Sequence, residues 1–445
     1  MTAQPPGAEG LKSGGQASVY SYFIVGVLAV VYTFNFLDRQ LMSILQESIR
    51  AELHLTDTQL GMVTGLAFAL VYTVFGIPIA WLADRTHRVR IIAAACAVWS
   101  LFSAACGLAV SFPTLALARL GVGLGEAGGS PPSYSVIADY FPARRRGVGL
   151  ALYSLGVPLG TMVGSAAGAW IDKAYGWRMA FFAVGAPGVL LALLVLILVR
   201  EPPRGRFDDK AAGAAEHAAG LPLLTTIGLF FTNRTLLLTS LSSGLSAFCG
   251  YALLNWSPSF LIRIRHMERG EIAVYYAALV GITGVIGTFG SGWLVDRLAR
   301  ISPRAYALVP MVAFTISMPF FMLFAWAPTW PLALCFLAVP TLLNNMYLAP
   351  ALTVIQNAVP PAQRGASSAI LLFVLNLIGL GGGPVFVGKI SDLLKPAYGV
   401  MSLQLALYAL GPIYLLTVLA HYAASRSIRR DAVLSATVPV VAAAL

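Results

Sequence analysis

The sequence predicts an all-α membrane protein with twelve transmembrane helices in two pseudo-symmetric six-helix bundles. Of its 445 residues, 58% are hydrophobic and only 11% are charged, whereas a soluble domain carries about 25% charged residues. The chain also contains about twelve apolar runs of roughly 20 residues, the length that crosses a hydrocarbon core of about 30 Å. The predicted spans are 18–46, 58–83, 90–110, 113–140, 146–171, 177–199, 233–263, 271–298, 305–326, 330–356, 364–394 and 401–425.

One long polar connection divides these runs into two halves. It carries paired acids, Asp208 and Asp209, and an Ala/Gly-rich run, a composition typical of a flexible linker. The first apolar run is too long for a cleavable signal peptide, so we expect an uncleaved first span. The predicted organisation is a flexible cytoplasmic N-terminus over 1–17, a first bundle over 18–199, a cytoplasmic linker over 200–232, a second bundle over 233–425 and a C-terminal tail over 426–445.

The basic residues predict the orientation of the chain. Its net charge is +11 at pH 7, but Lys and Arg lie in short turns between apolar runs, where the positive-inside rule explains them without a nucleic-acid partner. Most fall on one side of the predicted spans. We therefore expect both termini in the cytoplasm and the protein in the plasma (inner) membrane. Arg39 and Arg119 are the only basic residues that we place at membrane depth.

The two halves repeat each other in sequence. The run AWLADR at 80–85 recurs as GWLVDR at 292–297, after the second span of each half. FPARRRG at 141–147 is echoed by VPPAQRG at 359–365, ahead of the fifth span. A duplicated six-span unit is the expected build of an alternating-access transporter, whose binding site lies at the midplane between the repeats.

These motifs resemble the major facilitator superfamily over nearly the whole chain. They are the loop at 80–88, its copy in the second half, and the pattern RLGVGLGE at 119–126. Within that superfamily, NFLDR at 35–39, GEAG at 125–128 and SPPS at 130–133 look like the Spinster family, in a bacterial-type member. This resemblance implies a major facilitator fold and the transport of lysolipids or sphingosine phosphates, proton-linked or facilitative. The loop departs from the family pattern at Ala80 and His87, where glycine is usual, and the run GVPLG at 156–160 only partly matches the antiporter motif.

Four charged residues are predicted at membrane depth: Asp38 and Glu126, which are two of the 18 acids, and Arg39 and Arg119. An ionisable group at this depth costs roughly 2.5 to 3.5 kcal/mol on insertion scales and marks a functional site by default. Arg119 and Glu126 lie about two helical turns apart, so they project from one face of a span that Pro131 kinks or interrupts.

Buried carboxylates are driven toward the protonated form by desolvation and toward the ionised form by nearby arginine, so their protonation can respond to conformation. We therefore expect Asp38 and Glu126 to load and release protons, while Arg39 or Arg119 holds an anionic group of the solute. The alternative is a structural ion-pair lock with no proton traffic.

The resemblance also implies a conformational latch in the loop between the second and third spans. It assigns this role to Asp84, Arg85 and Arg88, and less strongly to Asp296 and Arg297 in the second half. The alternative is that these charges serve only to orient the chain, although orientation depends far more on Lys and Arg than on acids.

The second half has no predicted charge at depth, only amides such as Asn255 and Asn344 among aromatic and Met residues. The contrast with the charged first half suits an amphipathic solute, with its head on one wall and its tail on the other. In the first half, Phe68, Tyr72, Tyr134 and Tyr153 are candidate cavity residues. All five histidines map to loops or span ends, so we expect each to be solvated, including His421.

The sequence predicts a secondary transporter, and the resemblance to the Spinster family implies a lysophospholipid, a sphingoid phosphate or a similar amphiphile as its solute. We expect protons and membrane lipids as its further partners. We expect a monomer with no cofactor and no metal site. A proton-coupled drug exporter or organic-acid transporter of the same superfamily and a non-transporting receptor remain open alternatives. An enzyme is not expected, because no nucleophile, zinc or Walker motif is placed where such chemistry needs it.

Overall fold

The computed structural model describes residues 18–207, 228, 230, 232–359 and 363–442, and its regular structure is helical throughout. The predicted N-terminus, 1–17, and most of the predicted linker, 208–227, lie outside the described residues. The first half contains α1 (Val19–Leu53), α2 (Asp57–Ala83), α3 (Arg88–Cys106), α4 (Phe112–Glu126), α5 (Ser130–Tyr140), α6 (Arg146–Tyr175) and α7 (Trp177–Leu198). The second half contains α8 (Arg234–Arg263), α9 (Arg269–Ala299), α10 (Ala305–Trp326), α11 (Trp330–Asn357), α12 (364–398), α13 (Ser402–Tyr408) and α14 (Gly411–Ala442).

The described residues contain the twelve predicted crossings, although only ten stretches are long and apolar enough to count as spans by length and composition. The fourth crossing is divided between α4 and α5, each too short to be counted alone. The last counted stretch, Ala366–Arg430, holds two crossings, one in α12 and one in α13 with α14. Helix α14 continues to Ala442, so much of the segment predicted as a tail extends the last helix.

The fourth crossing is broken inside the membrane because two prolines follow α4 closely. Pro131 and Pro132 occupy the first turn of α5, where a proline is tolerated but cannot continue the hydrogen-bond ladder of the preceding helix. Tight turns at Ala127–Gly129 join the two pieces. The break leaves Glu126 at the C-terminal end of α4, away from either membrane surface.

The sequence repeat has a structural counterpart in the second crossing of each half. A π-helical turn occupies Met62–Leu66 in α2 and Ile272–Tyr276 in α9. At the other end of the same helices, Arg85 lies over the ring of Trp81 at 4.1 Å. Arg297 lies over Trp293 in the same way, at 5.8 Å. The two halves therefore share local geometry as well as motifs.

The halves are joined at one end by buried charged residues. Arg263, at the end of α8, forms four hydrogen bonds of 2.7 to 3.1 Å with the carboxylates of Glu47 on α1 and Asp57 on α2. Asp392 of α12 accepts hydrogen bonds from the amides of Asp57 and Thr58, at 3.1 and 2.7 Å. An acid of the second half thus caps the N-terminus of a helix in the first half, where the helix dipole favours negative charge.

The helix backbones also approach each other closely at this end. A Cβ atom at Gly61 would lie 2.6 Å from the carbonyl oxygen of Pro384, so only glycine permits this contact. Slightly deeper, Gln46 donates a hydrogen bond of 3.0 Å to the side chain of Asn255. The hydrogen bonds and ion pairs that join the halves in the described part of the chain cluster here, so the space between the halves opens toward the opposite end, which carries Asp84 and Asp296.

Candidate functional site

The four predicted deep charges form two ion pairs between α1 and α4. The guanidinium of Arg119 lies 3.2 Å from Asp38, and Nε of Arg39 lies 2.5 Å from Glu126. Asp38, Arg119 and Glu126 are at most 1% exposed, whereas the side chain of Arg39 is 15% exposed. Each ion pair joins one residue of α1 to one residue of α4. Asp38 and Arg39 are adjacent on α1, whereas their partners lie about two turns apart on α4.

The pair between Asp38 and Arg119 is sealed inside the first half. Ser103 of α3 donates a hydrogen bond to Oδ1 of Asp38. Nε of Arg119 donates to the backbone carbonyl of Val63, at 3.3 Å, in the π-helical turn of α2. Both charged groups are therefore held by polar partners from four helices. Neither Ser103 nor Val63 could be predicted as a partner, because neither belongs to a motif.

The pair between Arg39 and Glu126 borders the space between the halves. The guanidinium carbon of Arg39 lies 5.0, 4.6 and 4.9 Å from the ring centroids of Phe36, Phe68 and Tyr72. Its Nε atom is bound by Glu126, while its two Nη groups have no hydrogen-bond partner among the described residues. A guanidinium that stacks on three rings and has two free Nη groups can still bind an anionic group.

Glu126 is fully buried and only half satisfied. Oε2 accepts the hydrogen bond from Arg39, while Oε1 has no partner in the described part of the structure. A buried polar atom without a partner usually has a mechanistic reason, such as an unseen proton, water or ligand. Glu126 therefore differs from Asp38, both of whose carboxylate oxygens are bound.

Aromatic residues surround this site, as the sequence predicted in part. The ring of Tyr153 on α6 stacks on that of Tyr32 on α1, with centroids 4.3 Å apart and an interplanar angle of 8°. Tyr134 meets Tyr153 edge-on at 5.3 Å and is 40% exposed. Phe68 and Tyr153, two predicted cavity residues, are instead each 1% exposed. The ring of Phe68 fills the gap between Arg39 and Arg119.

The residues of the predicted latch lie in different environments. Arg88 is 1% exposed and binds Asp139 of α5 at 2.5 Å and Glu201 at 2.6 Å. The side chain of Asp84 is exposed and has no hydrogen-bond partner among the described residues, while its backbone carbonyl accepts from Arg204. The beginning of the linker, Glu201 and Arg204, therefore holds the loop against the first half, a contact that the sequence did not predict.

The second-half latch residues are both exposed. Asp296 and Arg297 lie at the open end of α9, and the contact of Arg297 with Trp293 is the interaction that the structure shows for this pair. Among the described residues, neither forms a hydrogen bond or an ion pair with the first half, which agrees with an open arrangement at this end.

One prediction of exposure is wrong, and one acid at a span end is buried although the sequence does not indicate it. His421 is 3% exposed and lies inside the second bundle, so the prediction that it is solvated is wrong. Asp57 is 0% exposed although it lies at a span end, because Arg263 and Asp392 of the other half cover it. The sequence does not reveal burial by a distant half of the chain.

Comparisons with known proteins agree with this architecture. Residues 28–384 match the model of the Major Facilitator Superfamily. The chain is 35% identical over 414 residues to an MFS-type efflux pump of Mycolicibacterium smegmatis, an alignment that covers 92% of this chain and 93% of that protein. It is 29% identical over 415 residues to protein spinster homolog 1 of Homo sapiens, covering 88% of this chain and 77% of that protein.

Solved structures show the same relationship. A crystal structure of a bacterial homolog to the human lysosomal transporter Spinster, in an inward-facing and unoccupied conformation, superposes with a TM-score of 0.84 at 30% identity, covering 94% of this chain and 99% of that one. A D-xylose–proton symporter superposes with a TM-score of 0.71 at 18% identity, covering 91% and 97%, and shares the fold. The predicted fold and the predicted relationship to Spinster proteins are confirmed, and this chain belongs to the Major Facilitator Superfamily of membrane transporters.

Proposed function

We propose that the chain transports an amphipathic solute with an anionic head, of the lysophospholipid or sphingoid-phosphate kind, by proton-coupled alternating access. The observation that carries this proposal is the buried carboxylate of Glu126, whose Oε1 atom has no hydrogen-bond partner in the described structure, beside the free Nη groups of Arg39. One group can take a proton and the other can take an anion, and the two share a hydrogen bond. The choice of a lipid-like solute rests on the resemblance to the Spinster family, which implies lysolipids or sphingosine phosphates as solutes.

Protonation of Glu126 is the proposed coupling event. While Glu126 is ionised, its carboxylate neutralises Arg39 and competes with any anionic solute. A proton on Glu126 removes this competing charge, so Arg39 can bind the solute head through its free Nη groups. Arg119 is less suited to bind the solute, because it is 1% exposed and already paired with Asp38.

Asp38 is the second proposed proton carrier, with a different access requirement. Its two oxygens are bound by Ser103 and Arg119, and it is 1% exposed in this conformation. It can exchange a proton only when α1 moves relative to α3 and α4. We therefore propose that Glu126 binds a proton in the conformation seen here, and that Asp38 binds one only after α1 has moved.

The alternating-access change requires both ends of the molecule to open and close. We propose that Asp84, Arg85 and Arg88, with Asp296 and Arg297, form the latch of the end that is open here, and that this end faces the cytoplasm. Replacing Asp84 by Ala should then shift the resting conformation in a cysteine-accessibility assay. An unchanged accessibility pattern would count against the latch.

We also propose an oligomeric state and a membrane orientation. Both halves that enclose the cavity belong to one polypeptide, so a monomer is sufficient for transport. We place it in the plasma (inner) membrane with both termini cytoplasmic, because that orientation puts most of the basic loops inside.

A drug exporter is the second candidate, favoured by the 35% identity to an MFS-type efflux pump. The two candidates predict opposite effects of pH on binding. An anionic solute that competes with Glu126 for Arg39 binds more tightly as the pH falls, whereas a cationic drug that pairs with Glu126 binds more weakly.

Binding of a lysophospholipid and of a cationic dye to the purified protein, measured between pH 5 and 8, separates these candidates. Tighter lysolipid binding at low pH supports our proposal. Dye binding that weakens at low pH, without lysolipid binding, supports the exporter. A receptor is indicated if a solute binds but is not moved in proteoliposomes. Organic acids serve as the comparison solutes, because they share the anionic group but lack the tail.

A further inference from the structure

His421 is a titratable side chain in the second bundle that the proposed mechanism does not use. It lies on α14, is 3% exposed, and stacks on Phe314 of α10 with ring centroids 6.1 Å apart. Burying a polar ring in a membrane bundle is unfavourable unless its nitrogen atoms are satisfied, and an ionisable group at this depth marks a functional site by default. The hydrogen bonds of the imidazole therefore indicate what the residue can do.

The hydrogen bonds of Ser246 on α8 favour one tautomer of His421. Oγ of Ser246 lies 2.8 Å from Nε2 of His421, and the same hydroxyl donates its hydrogen to the carbonyl oxygen of Ser242 at 2.9 Å. A hydroxyl has one hydrogen to donate, so Ser246 accepts from Nε2 when it donates to Ser242. In the neutral ring, Nδ1 then carries the lone pair, and it has no hydrogen-bond partner among the described residues.

A small cavity beside His421 is lined by aliphatic residues, among them Ala351 and Val354, and by residues that carry hydroxyl groups. These hydroxyl groups belong to Thr239 and Ser243 on α8, Tyr306 on α10 and Tyr347 on α11. Thr239 is 5% exposed and Ser243 is 0% exposed, and neither hydroxyl has a hydrogen-bond partner in the described structure. Buried hydroxyls without partners beside a basic nitrogen form a site for a small hydrogen-bonding ligand.

We propose that His421 and this cavity form a second proton-binding site, which holds water when the imidazole is neutral. A water molecule can donate to Nδ1 and accept from the hydroxyls of Thr239 and Ser243. When the ring is protonated, Nδ1 donates instead and the hydroxyls rotate to accept, because a hydroxyl serves both roles. A lining of methyl groups could not serve both protonation states.

The charges around the ring determine how firmly the proton is held. Tyr306 and Tyr347 lie across the cavity, Cys249 lies on α8 and Tyr414 lies on the helix of His421 itself. The same elements also carry other titratable or charged groups, among them Arg234 and Tyr251 on α8, Arg304 at the start of α10, and Tyr422 and Arg426 on α14. No Asp, Glu, Lys or Arg is among the described residues that line the cavity. A proton on His421 would be solvated by hydroxyls and water without a counter-ion, so it is bound weakly and released readily.

The position of the cavity defines the route of exchange. Tyr306 lies in the first turn of α10, near the end of the molecule that is open here, so water can reach the ring from that end. Tyr347 packs with Tyr251 on one apolar cluster of the second bundle. His421 would thus be a protonatable group in the second half, for which the sequence predicts no charge at membrane depth.

Nitrogen NMR of the full-length protein in lipid nanodiscs, labelled at its histidines, tests this site without requiring transport. His421→Gln identifies the signal, and His266→Asn removes an exposed histidine as the matched control, at a positive backbone φ that Asn tolerates. We expect the signal lost in His421→Gln to change from bare to protonated Nδ1 as the pH is lowered. Thr239→Val should move that midpoint to lower pH by about one unit, because the protonated ring loses a solvating oxygen.

Two results would overturn the proposal. One is a His421 signal that stays neutral at every pH at which the protein remains folded. The other is a midpoint that Thr239→Val leaves unchanged. The transport readout rests on the proposed function: His421→Gln should shift the pH of half-maximal solute uptake, while His266→Asn should not. If uptake shows no pH dependence in the unmodified protein, the proposed coupling fails while the NMR titration still decides the site.

Discussion

Replacing Arg263 by Gln should release the closed end of the molecule. Arg263 is the central link of that end, since its guanidinium binds Glu47 and Asp57 through four hydrogen bonds and its side chain is 9% exposed. Without Arg263, the carboxylate of Asp57 remains buried. Of the side chains that now bind this carboxylate in the described structure, only Ser391, at 2.6 Å, would still do so. Breaking a buried ion pair by removing one partner costs about 3 to 5 kcal/mol.

The lower figure applies here, because the pair lies near the membrane surface and water can reach it once the halves separate. A loss of about 3 kcal/mol in the closed state corresponds to a change of about 100-fold in the ratio of closed to open molecules, at 1.36 kcal/mol for each factor of ten. The direction follows from the structure, since these contacts join the halves only when this end is closed.

Electron paramagnetic resonance distances between spin labels at Ala51 and Val400, both exposed at this end, measure the change. Arg263→Gln should broaden the distribution toward longer distances. Lys173→Gln is the matched control, because Lys173 also joins the halves, through Glu268 at 3.7 Å, but the two side chains are 57% and 75% exposed. An exposed pair contributes at most about 1 kcal/mol. Equal distributions in the two variants would refute the reasoning.

Three other predictions concern the site and its packing. Asp38→Asn should lower the melting temperature in detergent more than Glu126→Gln does, because it leaves the buried Arg119 without its counter-ion. Equal losses in the two variants would contradict the distinction between the two ion pairs. Gly125→Ala should reduce the yield of folded protein, since a Cβ there would lie 2.8 Å from the Cβ atom of Trp99 and closer still to its backbone nitrogen, whereas Gly26→Ala, with nothing within 4 Å, should not. Arg88→Gln should increase proteolysis of the linker, because two of the contacts that hold its first residues are lost; unchanged cleavage would show that the other contacts suffice.

The charged site could be predicted from the sequence as a set of residues but not as a set of pairs. The cost of ionisable groups at depth identifies Asp38, Arg39, Arg119 and Glu126, and the structure brings all four together. Pairing depends on the rotation of α1 relative to α4, which helical periodicity does not fix. The distinction between a sealed pair and a pair that borders the cavity therefore required the structure.

The buried groups that were missed share one cause. Assigning residues to spans by apolar length gives their depth along a helix and does not give what packs beside them. Asp57 is covered by the other half, through Arg263 and Asp392. His421 falls near the predicted end of its span at 425, but α14 begins only at Gly411 and continues far beyond, so the residue lies inside the helix.

The latch shows the limit of a resemblance. The loop motif identifies Asp84, Arg85 and Arg88 together, yet only Arg88 is buried among acids in this conformation. Its partner Glu201 belongs to the segment predicted as a linker, where composition gives no sign of a specific contact. A motif specifies which residues recur, whereas their partners depend on the conformation that is observed.

Proton-driven uptake in proteoliposomes, compared between the unmodified protein and Glu126→Gln, tests the central claim most directly. Labelled lysophospholipid is supplied with and without an imposed pH gradient, and exchange at equal pH is measured on the same vesicles. We expect Glu126→Gln to lose the acceleration by the gradient while exchange continues. Loss of both activities to the same extent, or an acceleration that survives the substitution, would contradict proton coupling through Glu126.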